Sequence, residues 1–352
     1  MRATTVGIVS IGDMGLGMAK LLQAHDYRVV TVGEGRSEHT LSRIRTADIE
    51  VLPSDQALVA QADYILSIVP PRNALATAHR IAGACKQPDT LRQRDSIEDV
   101  NGQPSRSPLY YLELNATPPR LAAEMAALFE DESASSTSSL AWCQFLDGGI
   151  IGGPPAPAPA ATAAAATPDA DEIRGAWKKP SVVLSGPMVD LPPTFAALAT
   201  VLNAKVVSPR IGAASTLKLS FAALTKGLTA LSILSFSTAQ RESLLPELLA
   251  HLDEYSPQTA VLARRGVVGM SPKAYRWVDE MRGIGEAFDT QGGWDGVGAG
   301  IYDGFAEIYR TVAEDTILGL ERVGARERGT TVGDAALLLA SRRSQEEKPR
   351  PA

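Results

Sequence analysis

The sequence predicts an α/β domain with a doubly wound parallel sheet, followed by an all-α domain built on one long helix. Three observations carry that prediction. Short apolar runs alternate with helical patterns over residues 1–208, as strand–helix–strand crossovers require. A glycine-bearing turn joins the first run to the first helical pattern, in VGIVSIGDMGLGM. Beyond Pro209 the strand-like runs cease, and residues 213–241 read as a helix apolar on nearly every side, the pattern of a buried central helix.

Taken in order, the expected strands are Thr5–Ser10, Arg28–Val32, Tyr64–Val69, Tyr110–Asn115, Gln144–Asp147, Val182–Ser185 and Lys205–Val207. Between the first two, Met14, Met18, Leu21 and Leu22 recur at helical spacing and would pack on the sheet. Three stretches break the rhythm: polar Lys86–Pro108, small polar Asp131–Ser139, and the Pro/Ala-rich segment from Pro154 to Glu172. They bury too little apolar surface to offset the entropy of ordering and read as surface loops or disordered inserts. The long helix carries Leu217, Leu219, Phe221, Leu224, Leu228, Leu231 and Leu234. Further helical patterns follow to about residue 340, and the tail 341–352 reads as disordered. Domains are expected at 1–208 and 209–340, with the boundary near Ser208–Ile211.

Composition narrows the class. With 45% hydrophobic and 21% charged residues the chain reads as a soluble globular protein, and a net charge of −6 disfavours nucleic acid and anionic membranes as partners. Two cysteines, Cys85 and Cys143, give no disulfide framework. No signal-peptide pattern precedes the first strand, and no apolar run approaches the ~20 residues of a bilayer span, so the expectation is a cytoplasmic protein.

The turn Ser10-Ile11-Gly12-Asp13-Met14-Gly15 fits G-x-G-x-x-G with serine in the first glycine place. In a Rossmann-type unit the second glycine lets the backbone approach a pyrophosphate, and the helix N-terminus aims unpaired N–H groups at its charge. A plain strand–turn–helix would also use glycines at a tight bend; the strand before and helix after favour a dinucleotide. The second strand ends in GEGRSE, which offers Glu34 for ribose hydroxyls and the Arg36 fork with the Ser37 hydroxyl for a 2′-phosphate. Arg36 and Ser37 favour NADP(H) over NAD(H), against the blander reading of a solvated Glu/Arg pair.

Two further turns end strands at the sheet edge where such folds bind ligands: Val69-Pro70-Pro71, and Asn115 with Thr117 in LNATPP. The sharpest chemical candidate is Lys218, an amine two turns into the apolar helix. Beside a nucleotide domain it could donate a proton to a developing alkoxide or take one back; alternatively it reaches solvent along its own stem. Lys226 reads as structural. His25, His39, His79 and His251 show no metal-ligand spacing, no metal is expected, and no nucleophile elbow supports a hydrolase.

GDMG after a strand, VPP, LNATPP, DGGIIGGPP and GAASTLK on a long helix stand in the order seen in the β-hydroxyacid dehydrogenase superfamily. That group includes 6-phosphogluconate dehydrogenase, 3-hydroxyisobutyrate dehydrogenase and imine reductases. SPKAYRWVDEM and the later GIYDGFAEIY resemble its members with a C-terminal domain of unknown function. The resemblance covers most of residues 4–325 apart from the inserts. It implies an interdomain helix, a homodimer, NAD(P) and hydride transfer, with Lys218 as the catalytic lysine, Gly12 and Gly15 as phosphate glycines, and Arg36 as the arginine of NADP-preferring members.

The departures shape the expected substrate. Where the family has V-S-G-G, with serine gripping a carboxylate, this chain has Ile150-Ile151-Gly152-Gly153; Asp147, Gly149 and the backbone of Gly152 and Gly153 remain as candidate substrate contacts. The family's asparagines after the lysine are replaced by Phe221 and Ala222. The pocket should be more apolar than a sugar-phosphate site, which disfavours 6-phosphogluconate chemistry. The expected function is NADP(H)-dependent hydride exchange with a carbonyl, imine, alcohol or amine of an apolar small molecule. The alternative, from the same lost anchors, is a non-catalytic dinucleotide-binding sensor or assembly protein. In SPKAYRWVDEM, Ser271 is expected to cap a helix with Pro272 at its first position, and Trp277 and Met281 to form a packing stripe.

Overall fold

The structure is a computed structural model that describes residues 3–95, 108–130, 143–158, 177–188, 191–322 and 324–341. The chain divides into two compact units, Met1–Lys218 and Leu219–Ala352. The first unit thus keeps the first turns of the long helix, beyond the 208/209 boundary that the composition shift suggests.

The first unit is an eight-stranded sheet in the order β10-β9-β6-β5-β4-β1-β2-β3. Its strands are β1 (Thr5–Val9), β2 (Arg28–Val32), β3 (Glu50–Leu52), β4 (Tyr64–Ser67), β5 (Leu109–Glu113), β6 (Cys143–Ile151), β9 (Ser181–Ser185) and β10 (Ala204–Ser208). A short antiparallel pair, β7 (Ala156–Pro157) and β8 (Trp177–Lys178), stands apart. Each expected strand is present within a few residues; β3, at three residues, was too short to register as a run. Pairing is parallel except between β6 and β9, where β6 runs antiparallel to its neighbour. The order reverses between β1 and β4, so a crevice for a ligand opens at the carboxyl ends of those two strands.

Alternation along the strands builds two cores. Val6, Ile8, Tyr64, Leu66, Tyr110 and Leu112 meet Met18 and Leu22 of α1 (Asp13–Gln23) on one face. Val9, Val30, Ile65 and Tyr111 meet Leu58 of α3 (Asp55–Gln61), Ile81 of α4 (Ala74–Cys85) and Met125 of α6 (Pro119–Ala127) on the other. α2 (Glu38–Thr46) follows β2, and α7 (Pro193–Leu202) precedes β10.

The polar stretch after Lys86 corrects an expectation. Residues Pro88–Asp95 form a helix, α5, rather than a loop, and Thr90 and Arg94 are buried. The Arg94 guanidinium donates to Val59 O at 2.9 Å and Ala62 O at 2.5 Å, at the buried carbonyl end of α3, where a cation is favoured. Apolar periodicity could not show this, because a single arginine rather than an apolar stripe anchors the helix. The rest of that insert (96–107), Asp131–Ser139, the greater part of 154–172 and the tail after Ser341 lie outside the described residues.

In the second unit, α8 (Ala213–Arg241) continues from the first and is followed by α9 (Leu245–Tyr255), α10 (Pro257–Met270), α11 (Ala274–Thr290), α12 (Val297–Glu314) and α13 (Val332–Ala340). α11 and α12 cross closely enough that a methyl on Gly285 would sit 3.0 Å from Ala299 Cα. Lys226 forms a largely buried ion pair with Glu280 and lies 4.9 Å from the centroid of the Trp277 ring, and Tyr309 OH donates to Lys226 O at 2.6 Å. Lys226 is packed into this helical core. Ser271 opens a short 3₁₀ turn, Ser271–Lys273, that follows α10 directly, and its hydroxyl caps nothing; Lys273 stands at the start of α11.

α8 also departs from expectation. By length and composition it would suffice to cross a bilayer, with a mean hydropathy of 1.5 over its most apolar window and half of that window buried. Leu219, Ala222, Ala230, Ile233 and Phe236 are buried, whereas Phe221, Leu224, Leu231 and Leu234 are exposed. One face belongs to the core of the chain and the opposite face does not.

Candidate functional site

The site begins at the bend between β1 and α1. Ser10 adopts φ +78°, the left-handed region that glycine enters freely and other residues enter at a cost. Ser10 thus takes up the left-handed conformation that a glycine in the first place of the motif would adopt freely. Gly15 is required by contact: a Cβ there would lie 2.3 Å from the Ser10 carbonyl oxygen. At Gly12 a Cβ would meet no protein atom within 4 Å, so the backbone faces open space at the helix N-terminus. No side chain caps that terminus. Ile11 is buried and Met14 half-buried. Asp13 is turned to Arg43 of α2 at 2.5 Å. An open ring of N–H groups with room for a diphosphate is what this bend provides.

At the end of β2, Arg36 is half-buried and its Nε is buried without a hydrogen-bond partner. Burial and the neighbouring Arg80 push the Arg36 guanidinium below its usual range, and Asp55 draws it back. Arg80, on α4, is fixed by Asp55 through two bonds of 2.8 and 3.0 Å. The unpartnered Nε of half-buried Arg36, with Arg80 close enough to act on its charge, fits an anionic group of a ligand. Arg80 was missed by sequence reading, because nothing in the spacing of α4 links it to β2. The Ser37 hydroxyl accepts from Thr40 N at 3.3 Å and caps α2.

The two proline turns lie on adjacent strands and are tied together. Val69 N donates to Asn115 Oδ1 at 2.7 Å, and Asn115 Nδ2 donates to Ser67 Oγ at 3.1 Å and to Glu113. Asn115 is thus spent within the edge of the sheet rather than pointing to a ligand. Val69 and Pro71 are half-buried and Pro70 exposed. Thr117 is fully buried and its Oγ1 has no partner. A buried hydroxyl without a partner costs about 1–3 kcal/mol.

The last register of the sheet runs Val9–Ser67–Glu113–Asp147–Ser185 across β1, β4, β5, β6 and β9. The four polar residues of that row are fully buried. Asp147 Oδ2 accepts from Ser185 Oγ at 2.9 Å, Gly212 N at 3.0 Å and Ser215 N at 3.0 Å, while Oδ1 accepts from Ser215 Oγ at 2.5 Å. Burial pushes Asp147 above the usual carboxylate range and the donors hold it back. Its carboxylate caps the N-terminus of α8, and Ser185 Oγ accepts Ala214 N at 2.9 Å in support. The residue expected to meet substrate instead holds a helix in place.

That helix carries Lys218. Gly149 lies two residues beyond Asp147 on the same face of β6, and a Cβ there would be 2.8 Å from Lys218 Cβ and 2.9 Å from Cγ. The glycine is the seat of the lysine stem. Gly152 (φ +125°) and Gly153 follow in the turn after β6, and Phe221 is an exposed residue of α8 in the second unit. Among the described residues no metal-binding cluster occurs.

Comparison with known proteins agrees with the fold. Residues 5–89 match the family described as NADP oxidoreductase, coenzyme F420-dependent, and residues 239–312 match the domain of unknown function DUF1932. Among curated proteins none matches the sequence. Among solved structures, a conserved hypothetical protein from Sinorhizobium meliloti is 18% identical, with 96% of each chain covered and a TM-score of 0.56. A 3-hydroxyisobutyrate dehydrogenase from Mycobacterium tuberculosis is 15% identical over 88% of this chain and 99% of its own, with a TM-score of 0.56. A second, from Salmonella typhimurium, is 15% identical over 94% and 99%, with a TM-score of 0.53.

Proposed function

We propose that this chain, an NAD(P)-dependent oxidoreductase with the β-hydroxyacid dehydrogenase fold, exchanges hydride between NADP(H) and the carbonyl or imine carbon of an apolar small molecule, or the reverse. The observation that carries the reading is the paired use of β6: Asp147 caps the first turn of α8, and Gly149 seats the Lys218 stem on the same face.

The residues fit a dinucleotide. Gly12 and the first-turn N–H groups of α1 face open space for the diphosphate, Arg36 and Arg80 suit a 2′-phosphate, and Thr117 Oγ1 awaits a partner at the sheet edge. When bound, the nicotinamide supplies or accepts the hydride. Lys218 Nζ gives a proton to the substrate oxygen or nitrogen in reduction and takes it back in oxidation. Ile151, in place of the family's serine, favours apolar substrates.

The exposed row Phe221, Leu224, Leu231 and Leu234 on α8 supports self-association into a homodimer. With its opposite face buried, α8 suits the core helix of a soluble, cytoplasmic protein better than a membrane span. A second reading, a dinucleotide-binding protein without catalysis, draws on Ile151 and Phe221, where the family has serine and asparagine.

Fluorescence titration with NADPH and NADH tests the cofactor. Turnover on aldehydes, ketones, imines and hydroxy acids, by wild type and Lys218→Ala, separates the two readings. Binding without lysine-dependent turnover on any of them favours the binder.

A further inference from the structure

The buried row at the end of the sheet holds a second carboxyl group that the proposed chemistry does not use. Glu113 is the last residue of β5, fully buried, on the same face as Asp147 in the next strand. Its Oε1 accepts from Asn115 N at 3.3 Å and from Asn115 Nδ2, and Tyr111 OH donates to its Oε2 at 3.4 Å. The Asn115 amide so oriented presents Oδ1 to Val69 N at 2.7 Å and Nδ2 to Ser67 Oγ at 3.1 Å. A flipped amide would set Nδ2 against the Val69 N–H and Oδ1 against the Glu113 carboxylate, so both partners select the observed orientation and Glu113 adds a charged acceptor to the hold. The Val69-Pro70-Pro71 turn and the Asn115–Pro118 turn border the crevice between β1 and β4 and the strand beyond it.

We propose that Glu113 is a positioning residue of the dinucleotide site, orienting Asn115 so that the two proline turns form one rigid wall. The inference rests on the dinucleotide reading above. The ionised carboxylate is the stronger acceptor, because hydrogen bonds to a charged group are about twice as strong as neutral ones. The titratable groups facing it are Tyr111 on β5 and Asp147 on β6, with Arg80 beyond Tyr111. Burial, and then the negative Asp147, push Glu113 up to about 7 against the pull of Ser67 and Asn115. The wall is therefore held more firmly above neutrality than below it. Protonation removes the charge at no cost to the fold, so stability and ligand affinity move in opposite directions as pH falls. A merely structural carboxyl group would move stability with pH and leave ligand affinity unchanged.

The experiment is NADPH titration by fluorescence from pH 6 to 8.5 on wild type, Glu113→Gln, Asn115→Ala and the double variant, with thermal denaturation at each pH. The expected result is a wild-type Kd that rises about 5–10-fold below pH 7 beyond the change set by the 2′-phosphate of NADPH itself, a Glu113→Gln Kd that lies at the higher value and shows only the phosphate's change, and no added effect of Glu113→Gln on Asn115→Ala. A folded Glu113→Gln protein with the wild-type Kd and pH profile overturns the positioning role while leaving the cofactor reading intact. A wild type that binds neither NADPH nor NADH overturns both. Equal, additive losses in the double variant overturn the route through Asn115.

Discussion

Gly149 and Lys218 stand in direct contact, the backbone of one bearing on the aliphatic stem of the other, so that an added methyl would come within 2.8 Å of Lys218 Cβ. Gly149→Ala must therefore push the lysine or its helix aside. Overpacking of this kind costs about 1–3 kcal/mol. The expected outcome is a fall in turnover of roughly 10²-fold with dinucleotide affinity within about twofold, read from steady-state kinetics and NADPH titration.

Lys218→Ala keeps the helix and removes the proton donor. Turnover should fall by roughly 10²–10⁴-fold on any substrate the wild type accepts, with cofactor Kd unchanged. Turnover that survives the substitution would assign the proton to another group.

Ser10→Gly should stabilise the protein, because Ser10 already occupies a left-handed conformation at φ +78°. Relief of that conformation is worth ~1–2 kcal/mol, less the ~0.5–1 kcal/mol of extra chain entropy glycine brings to the unfolded state. A rise in Tm for the variant checks it; a fall would mean the serine hydroxyl contributes more than its backbone costs.

Arg36→Ala should weaken NADPH roughly 10–100-fold and leave NADH within about twofold, since one charge-assisted contact to the 2′-phosphate is lost. Paired titrations with the two coenzymes give the ratio. Equal effects on both would place Arg36 outside the phosphate site.

Glu113 gives a pH signature in stability. Its carboxyl titrates at about 7 in the fold against an ordinary value of 4.5, so the folded chain holds a proton that the unfolded chain has lost across that window. The contribution is fully present below the unfolded value and disappears as pH rises through about 7, by up to about 3 kcal/mol. Denaturation of wild type and Glu113→Gln between pH 5 and 8 should show the difference widening in favour of the variant as pH rises. A constant difference would mean Glu113 titrates normally.

Apolar alternation made the strands legible, and the Gly12–Gly15 spacing made the bend between β1 and α1 legible even with Ser10 in the first place, because the remaining constraints are local. Lys218 could be singled out because an amine in an apolar helix is conspicuous. What stayed hidden depends on partners distant in sequence. Asp147 read as a substrate contact because no pattern links it to Gly212 and Ser215, the amides it caps. Glu113 sat unmarked inside LYYLELN, although a lone acid in an apolar strand was the available signal. Arg94 and α5 were missed for the same reason, since a polar anchor leaves no periodicity.

The cap that Asp147 places on α8 bears on where the polypeptide can be cut. A fragment ending at 208 would strip the buried carboxylate of the Gly212 and Ser215 donors and strand a charge inside the sheet edge. Such a truncation should aggregate or acquire a proton in place of its missing amides. Extension to Lys218 restores every donor, which makes those ten extra residues part of the smallest piece of the sheet unit that can be cut out whole.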